Sequence, residues 1–184
     1  IRVKKEYMDI HEEDLAKIND LAEELNKEGM HVIGVAAKKK SVGDTTVFHA
    51  EDETNMTFLG IIAFLDPPKP DAKEAIRGLY DAGVHVKVIS GDAPVVVEHV
   101  CKLVGMKVGD QSAVTGSDLE NMSDTELSSV VEKNDIFARL SPMQKKRVVD
   151  ALRNNGHVVG YMGDGVNDAP SLHDADVGIS VDNG

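Results

Sequence analysis

Short apolar segments alternate with helix-forming segments from residue 84 to the end of the chain, and this alternation limits the possible folds more than any other feature. The predicted strands span residues 84–90, 112–116, 136–140, 157–164 and 177–181. Most of them read as continuous apolar runs, which is typical of strands buried on both faces of a parallel sheet. The pattern therefore predicts an α/β fold in which a parallel sheet carries helices on both faces.

Helix signals fall between these strands. Ser123 and Glu126 have the spacing of a capping box. Ser141 followed by Pro142 marks the start of a helix that should end near Gly156. Further helices are predicted over residues 71–83, 93–105 and 169–176.

The segment "DPPKP" at 66–70 separates this alternation from the first third of the chain. Three prolines within four positions exclude both a helix and a central strand, so we predict a stiff hinge and a domain boundary. The predicted domains are residues 1–65 and residues 66–184. In the first domain the apolar spacing predicts a helix at 12–28, followed by three strands at 31–37, 45–50 and 56–66.

Composition excludes several classes of function. The formal net charge of −12 repels phosphate backbones, so no nucleic acid is expected as a partner. The basic run Lys145, Lys146 and Arg147 is too short to reverse this. A single cysteine, Cys101, excludes an internal disulfide and is typical of a reducing compartment. Because no apolar run approaches the roughly 20 residues that span a bilayer, we expect a soluble chain, alone or as part of a larger protein.

Polar residues follow the predicted strand at 84–90, at the strand end where ligands of α/β sheets bind. These residues are Ser90, Gly91 and Asp92. A hydroxyl group and backbone amides beside a glycine can hold the oxygens of a phosphate. This segment is therefore a candidate phosphate site.

The segment "GDGVND" ends the strand predicted at 157–164. Asp164 is placed there to ligate Mg²⁺, which prefers one or two carboxylates together with phosphate oxygens and water. Asn167 and Asp168 can add a polar contact and a direct or indirect metal contact. Lys145 lies near the start of a predicted helix, as a point charge that could neutralise a transferring phosphoryl group.

Each of these features also has a simpler interpretation. An isolated "SGD" or "GDGVND" is typical of a turn, and Lys145 within "KKR" is typical of a solvated helix face. Met162 and Cys101 are expected in the core. The combination of two polar clusters at the ends of two strands, with a lysine between them in the chain, favours a phosphoryl-transfer site.

The segments "DPPKP", "SGD", "FARLSPMQK" and "GDGVNDAPSLHDADVGIS" resemble the cytoplasmic core of P-type cation-transporting ATPases, in the haloacid dehalogenase superfamily. The segments "GIIAFLDPPK" and "GHVVGYMGDGVNDAP" look closest to the magnesium-importing subgroup. The resemblance implies a Rossmann-like, haloacid dehalogenase-like phosphorylation domain over 66–184. It implies that residues 1–65 are a helix-plus-strands remnant of a nucleotide-binding domain.

The resemblance also implies roles for individual residues. Ser90, Gly91 and Asp92 match a family segment that contacts the phosphoryl group and the nucleotide phosphates, with serine in place of the usual threonine. Arg139 matches an arginine that lines the nucleotide site, and Lys145 matches the lysine that binds the transferred phosphate.

Asp164 matches the family's magnesium ligand, and Asn167 and Asp168 complete the same loop. The implied cofactors are Mg²⁺ and ATP. The implied partners are the remaining domains and membrane helices of a parent pump, at the cytoplasmic face of the plasma membrane.

Three features depart from the family pattern. The "DKTGT" segment, whose aspartate becomes phosphorylated, and the "KGA" nucleotide segment do not occur in this sequence, and His31 replaces a family arginine. "DADVG" imitates a nucleophile motif, but no apolar strand leads into Asp174. The strand missing with "DKTGT" would lie in the middle of the sheet, next to 84–90 and 157–164, so we expect two open sheet edges.

The sequence thus predicts a catalytic fragment of an ATP-driven cation pump, importing Mg²⁺ and working through an aspartyl-phosphate, with the isolated chain inactive. One alternative is a free-standing phosphatase. It would need Asp66 as its nucleophile, although Pro67 and Pro68 lack the required backbone donors. The other alternative is a non-catalytic binding module that docks on a partner.

Overall fold

The computed structural model describes residues 9–39, 47, 49–108, 113–164 and 168–180. The chain divides into two compact units, Ile1–Asp66 and Pro67–Gly184. Their identities as nucleotide-binding and phosphorylation domains stay a prediction. Within the described ranges, no helix has the length and apolar character needed to cross a membrane.

The first unit contains a helix and an antiparallel pair of strands. They are α1 (Glu12–Lys27), β1 (Met30–Ala37) and β2 (Thr57–Leu65). Gly29 connects α1 to β1 with a φ of 84°, a conformation that favours glycine. His31 stacks on Phe64 with ring centroids 5.4 Å apart.

Half of the strand predicted at 45–50 falls outside the described residues, and the described ones, 47, 49 and 50, are not in a strand. Ala50 instead begins a short 3₁₀ helix that ends at Asp52. The backbone N–H of His49 donates to the Asp52 carboxylate at 3.1 Å, which stabilises the turn. The prediction was wrong at Ala50 because this local side-chain bond competes with strand pairing.

The second unit contains two parallel sheets. In one, β3, β5 and β4 are hydrogen-bonded in that order, and in the other β6 pairs with β7. The elements are α2 (Ala72–Asp81), β3 (Val88–Ile89), α3 (Pro94–Leu103), β4 (Val114–Thr115), α4 (Gly116–Glu120), α5 (Asp124–Lys133), β5 (Ile136–Ala138), α6 (Pro142–Asn154), β6 (Gly160–Gly163), α7 (Ala169–Asp174) and β7 (Val177–Ser180).

Helices cover both faces of the sheet that contains β5, which confirms the predicted α/β fold. Phe137 points to one face, where it packs with residues of α4, α5 and α6. Its neighbours Ile136 and Ala138 point to the other face and pack with α3 residues, including Cys101. Cys101 is in the core as predicted, and its burial raises the pKa of the thiol to about 11.

The serine caps predicted from the sequence are confirmed. Ser123 N–H donates to a Glu126 carboxylate oxygen at 2.8 Å, and Ser141 N–H donates to the Gln144 side chain at 2.9 Å. The short helix α4 was not predicted. Thr115 caps it, and its first residue is Gly116.

Among the described residues, the parallel strands form two separate sheets, and β3 and β6 are edge strands of these sheets. Among the described residues, β3 pairs only with β5, and β6 pairs only with β7. The predicted strand 84–90 is correspondingly reduced to Val88–Ile89. Met162 is 67% exposed, so its prediction as a core residue was wrong. The reason is that Met162 points to the face of β6 opposite to the buried Tyr161, and this face is open within the described residues.

Candidate active site

Two of the predicted site residues follow the carboxyl ends of strands in the two parallel sheets. Lys145 lies in the first turns of α6, soon after the end of β5, and Asp168 follows the end of β6. The Lys145 ammonium nitrogen is 2.7 Å from Asp168 Oδ1. This ion pair therefore joins the end of one sheet to the end of the other, where the sequence predicts the site.

Ser90, Gly91 and Asp92 form a hydrogen-bonded loop at the end of β3. The Ser90 hydroxyl donates to Asp92 Oδ2 at 2.8 Å and accepts from the Asp92 N–H at 3.1 Å. The N–H groups of Arg139 and Leu140 donate to the carbonyls of Asp92 and Ser90, at 2.9 and 3.0 Å. The structure thus brings the predicted phosphate segment and Arg139 together.

Arg139 has an unusual backbone conformation. Its φ of 53° lies in the left-handed region, which costs a residue with a Cβ atom about 1–2 kcal/mol. Its side chain is exposed and makes no hydrogen bond or ion pair with the described residues. Such strain is often found at functional sites, where a side chain is held in place for a ligand.

The strain at Arg139 can be measured with two substitutions that both remove the guanidinium group. We expect Arg139→Gly to have a free energy of unfolding about 1 kcal/mol higher than Arg139→Ala, because only glycine adopts this φ without steric cost. Urea denaturation of both variants measures the difference. Equal stabilities would show that the conformation at Arg139 is not strained.

Lys145, Tyr161 and Asp168 form a largely buried cluster. The side chains of Lys145 and Asp168 are only 12% and 13% exposed, so Lys145 does not lie on a solvated helix face. The Tyr161 hydroxyl donates to Asp168 Oδ1 at 3.0 Å, the same oxygen that Lys145 contacts. Burial and the nearby Asp168 carboxylate raise the pKa of Tyr161, so its hydroxyl stays protonated.

Tyr161 is a site residue that the sequence patterns do not predict. The available signal is a tyrosine in an otherwise apolar strand, two residues before "GDG". Its environment includes Ser171, which is fully buried. The Ser171 hydroxyl has no well-aligned hydrogen-bond partner among the described residues. It lies close enough to Tyr161 to lower the pKa of the tyrosine, against the larger effect of burial.

Asp164 and Asp168 suit a hard cation such as Mg²⁺. Asp164 is exposed and directly follows β6, three residues after Tyr161, and its charge adds to the rise in the Tyr161 pKa. A Cβ atom on Gly163 would lie 2.5 Å from Asp168 Oδ2, so that oxygen rests against the end of β6. The part of the chain that is described has no cluster of three or more His, Cys, Asp or Glu side chains suited to a metal.

Two carboxylates nevertheless match the usual Mg²⁺ site, in which water and phosphate oxygens supply the other ligands. Asp164 and Asp168 would therefore hold the ion. Asn167, the third residue predicted for this loop, lies outside the described residues.

The carboxylates of "DADVG" have structural partners. Asp174 pairs with Lys146 at 2.6 Å, and Asp176 pairs with Arg153 at 3.1 Å. The hydrogen bond from Lys146 is the main cause that lowers the pKa of Asp174. These contacts connect α6 to the residues just before β7. They give both carboxylates a structural role, which agrees with the sequence argument that "DADVG" is not a nucleophile motif.

Comparison with known proteins gives a family match over nearly the whole chain. Residues 5–176 match the family described as haloacid dehalogenase-like hydrolase. The magnesium-transporting ATPase, P-type 1, of Salmonella typhimurium is 51% identical over 87% of the chain. That of Escherichia coli is 44% identical over 91% of the chain. The calcium-transporting ATPase 1 of Saccharomyces cerevisiae is 40% identical over 90% of the chain.

The chain spans about 18% of the length of these relatives. Two of these relatives are P-type magnesium-transporting ATPases and the third is a calcium-transporting ATPase, so the matches confirm the resemblance to P-type cation-transporting ATPases.

Proposed function

Because the chain belongs to the haloacid dehalogenase-like hydrolase family, we propose that it is a catalytic part of an ATP-driven cation pump that works through an aspartyl-phosphate. Magnesium is the proposed transported ion, since magnesium-transporting ATPases are among its relatives. The remaining domains and membrane helices of the pump are its proposed partners, and the cytoplasmic face of the membrane is its proposed location.

The Lys145–Asp168 ion pair is the observation that carries this proposal. It lies at the carboxyl ends of the parallel strands, where α/β sheets bind their ligands. Lys145 is only 12% exposed, and the Asp168 carboxylate holds its ammonium group in place. It is therefore suited to neutralise the charge of a phosphoryl group. The strained, exposed Arg139 supports the same location, since it is free to contact a nucleotide.

Each site residue has a proposed part in phosphoryl transfer. Ser90 and the amides beside Gly91 bind phosphate oxygens, Asp92 orients Ser90, and Lys145 neutralises charge. Bound Mg²⁺ would supply charge stabilisation on the phosphate oxygens. Asp164 and Asp168 would hold that ion, with Asn167 as a further contact in the same loop.

The accepting aspartate is proposed to come from a segment that this sequence does not contain. The string "DKTGT" is absent, and β3 and β6 each lack a partner on one side among the described strands. Ile89 in β3 and Val159, next to β6, pack against the same core cluster, which supports a common sheet layer for these two open edges. We propose that the missing segment adds as a parallel strand between β3 and β6.

The test is phosphate transfer from ATP and from acetyl phosphate in the presence of Mg²⁺. We expect no phosphate release by the chain alone. We expect a peptide that carries "DKTGT" after an apolar strand to become phosphorylated when the chain is added. Mass spectrometry of the peptide measures the transfer, and Asp164→Asn should abolish it because the proposed cation ligand is lost.

Other results would favour the alternatives. Phosphate release by the chain alone that is lost in Asp164→Asn would indicate a free-standing phosphatase. Binding of a partner that survives Asp164→Asn would indicate a non-catalytic binding module. A peptide that binds the chain but never acquires phosphate would contradict the proposed transfer.

A further inference from the structure

Tyr161 and Lys145 converge on a single oxygen atom. The Tyr161 hydroxyl oxygen is 3.0 Å and the Lys145 ammonium nitrogen 2.7 Å from Asp168 Oδ1. An ionised carboxylate only accepts hydrogen bonds, so both groups are donors. Two donors on one oxygen define the rotation of the carboxylate more tightly than one donor does.

The second oxygen of Asp168 has a different environment. Asp168 Oδ2 would be 2.5 Å from a Cβ atom on Gly163, so it lies against the backbone at the end of β6. The next residue is Asp164. Within the described residues, both hydrogen-bond donors to the Asp168 carboxylate contact Oδ1, and none contacts Oδ2.

We propose that Tyr161 is a positioning residue, which holds Asp168 Oδ1 so that Oδ2 stays directed at the cation site beside Asp164. This inference rests on the proposed function, in which both carboxylates hold Mg²⁺. Partners that orient a metal-binding carboxylate commonly change metal affinity by about 10–100-fold when they are removed. Tyr161 acts through Asp168 and need not touch the ion.

The position of Tyr161 in the fold fits this role. It is 8% exposed, whereas the next residue along β6, Met162, is 67% exposed on the other face. The strand therefore carries the phenol on its buried face, and the two residues that follow Tyr161, Met162 and Gly163, lead directly to Asp164. One short strand thus places both the orienting hydroxyl and the first carboxylate.

Tyr161→Phe removes the hydroxyl and keeps the ring, and Tyr80→Phe is a matched control at a tyrosine that is 41% exposed. Mg²⁺ affinity is measured by NMR titration of the full chain, and three-bond couplings report the Asp168 side-chain rotamer without Mg²⁺. We expect Tyr161→Phe to weaken Mg²⁺ binding about tenfold and to let Asp168 sample several rotamers. Tyr80→Phe should change neither quantity.

A purely structural role for Tyr161 would give a different result. Asp168 would then keep one rotamer in Tyr161→Phe and Mg²⁺ affinity would be unchanged, whatever happens to thermal stability, and this would overturn the inference. If the unsubstituted chain binds no Mg²⁺, the proposed function fails at this site. The rotamer measurement still decides whether Tyr161 positions Asp168.

Discussion

Replacing Lys145 with methionine is expected to lower the free energy of unfolding by about 3 kcal/mol. The Lys145 and Asp168 side chains are 12% and 13% exposed, and their charged atoms are 2.7 Å apart. Removing the lysine leaves the Asp168 carboxylate poorly hydrated, with the Tyr161 hydroxyl as its remaining side-chain donor among the described residues. A buried charge without its partner costs far more than the net value of the pair.

Lys146→Met is the matched control for this measurement. Lys146 is the next residue of α6 and also forms ion pairs, with Asp150 and Asp174, but its side chain is 33% exposed. Solvent screening makes exposed pairs weak, so its loss should be clearly smaller. Urea denaturation in EDTA compares the variants, and equal losses for Lys145→Met and Lys146→Met would contradict the argument. The double variant Lys145→Met/Asp168→Leu should recover part of the stability, because it leaves no unpaired charge.

Gly163→Ala is expected to destabilise the chain by about 2 kcal/mol and to weaken Mg²⁺ binding. A Cβ atom at this position would be 2.5 Å from Asp168 Oδ2 and 2.9 Å from Asp168 Cβ. Asp168 cannot easily turn away, since Lys145 and Tyr161 hold its other oxygen. The added methyl group must therefore displace either the end of β6 or the buried ion pair.

Gly160→Ala provides the control within the same strand. A Cβ atom on Gly160 would meet no atom closer than the Val177 carbonyl oxygen at 3.9 Å, which is an ordinary contact. We expect its stability to change by less than about 0.5 kcal/mol. Urea denaturation and Mg²⁺ titration measure both variants. A Gly163→Ala variant as stable as Gly160→Ala would show that the Asp168 carboxylate is not held as tightly as its contacts indicate.

Local signals account for the parts of the fold that the sequence predicts well. The helix that begins after Ser141 is correct because its cap and its apolar face both lie within a few neighbouring residues. The strands of the second unit are predicted in the right places but with the wrong lengths, as at β3, which keeps only Val88–Ile89 of the expected 84–90. Strand length depends on the neighbouring strand, and β3 has a neighbour on one side only within the described ranges.

Met162 shows, in a single side chain, the same limit of prediction from local sequence. Its apolar character and its place in an apolar strand predict burial, yet it is 67% exposed. Whether a side chain of a central strand is buried depends on what covers that face and edge of the sheet. The absence of "DKTGT" from the sequence predicts the open edge, but not which side chain it exposes.

The sequence alone determined which chemical groups are available at the strand ends: the Ser90 hydroxyl, the Arg139 guanidinium, the Lys145 ammonium and the Asp164 and Asp168 carboxylates. Residue type and the carboxyl-end rule of parallel sheets suffice for that, because both are read from local pattern. Only the tertiary structure decided that Lys145 and Tyr161 both donate to Oδ1 of Asp168, a residue 23 positions after Lys145. Such a contact depends on how α6 and β6 pack. The packing of segments that are distant in the chain cannot be predicted from the local spacing of apolar residues.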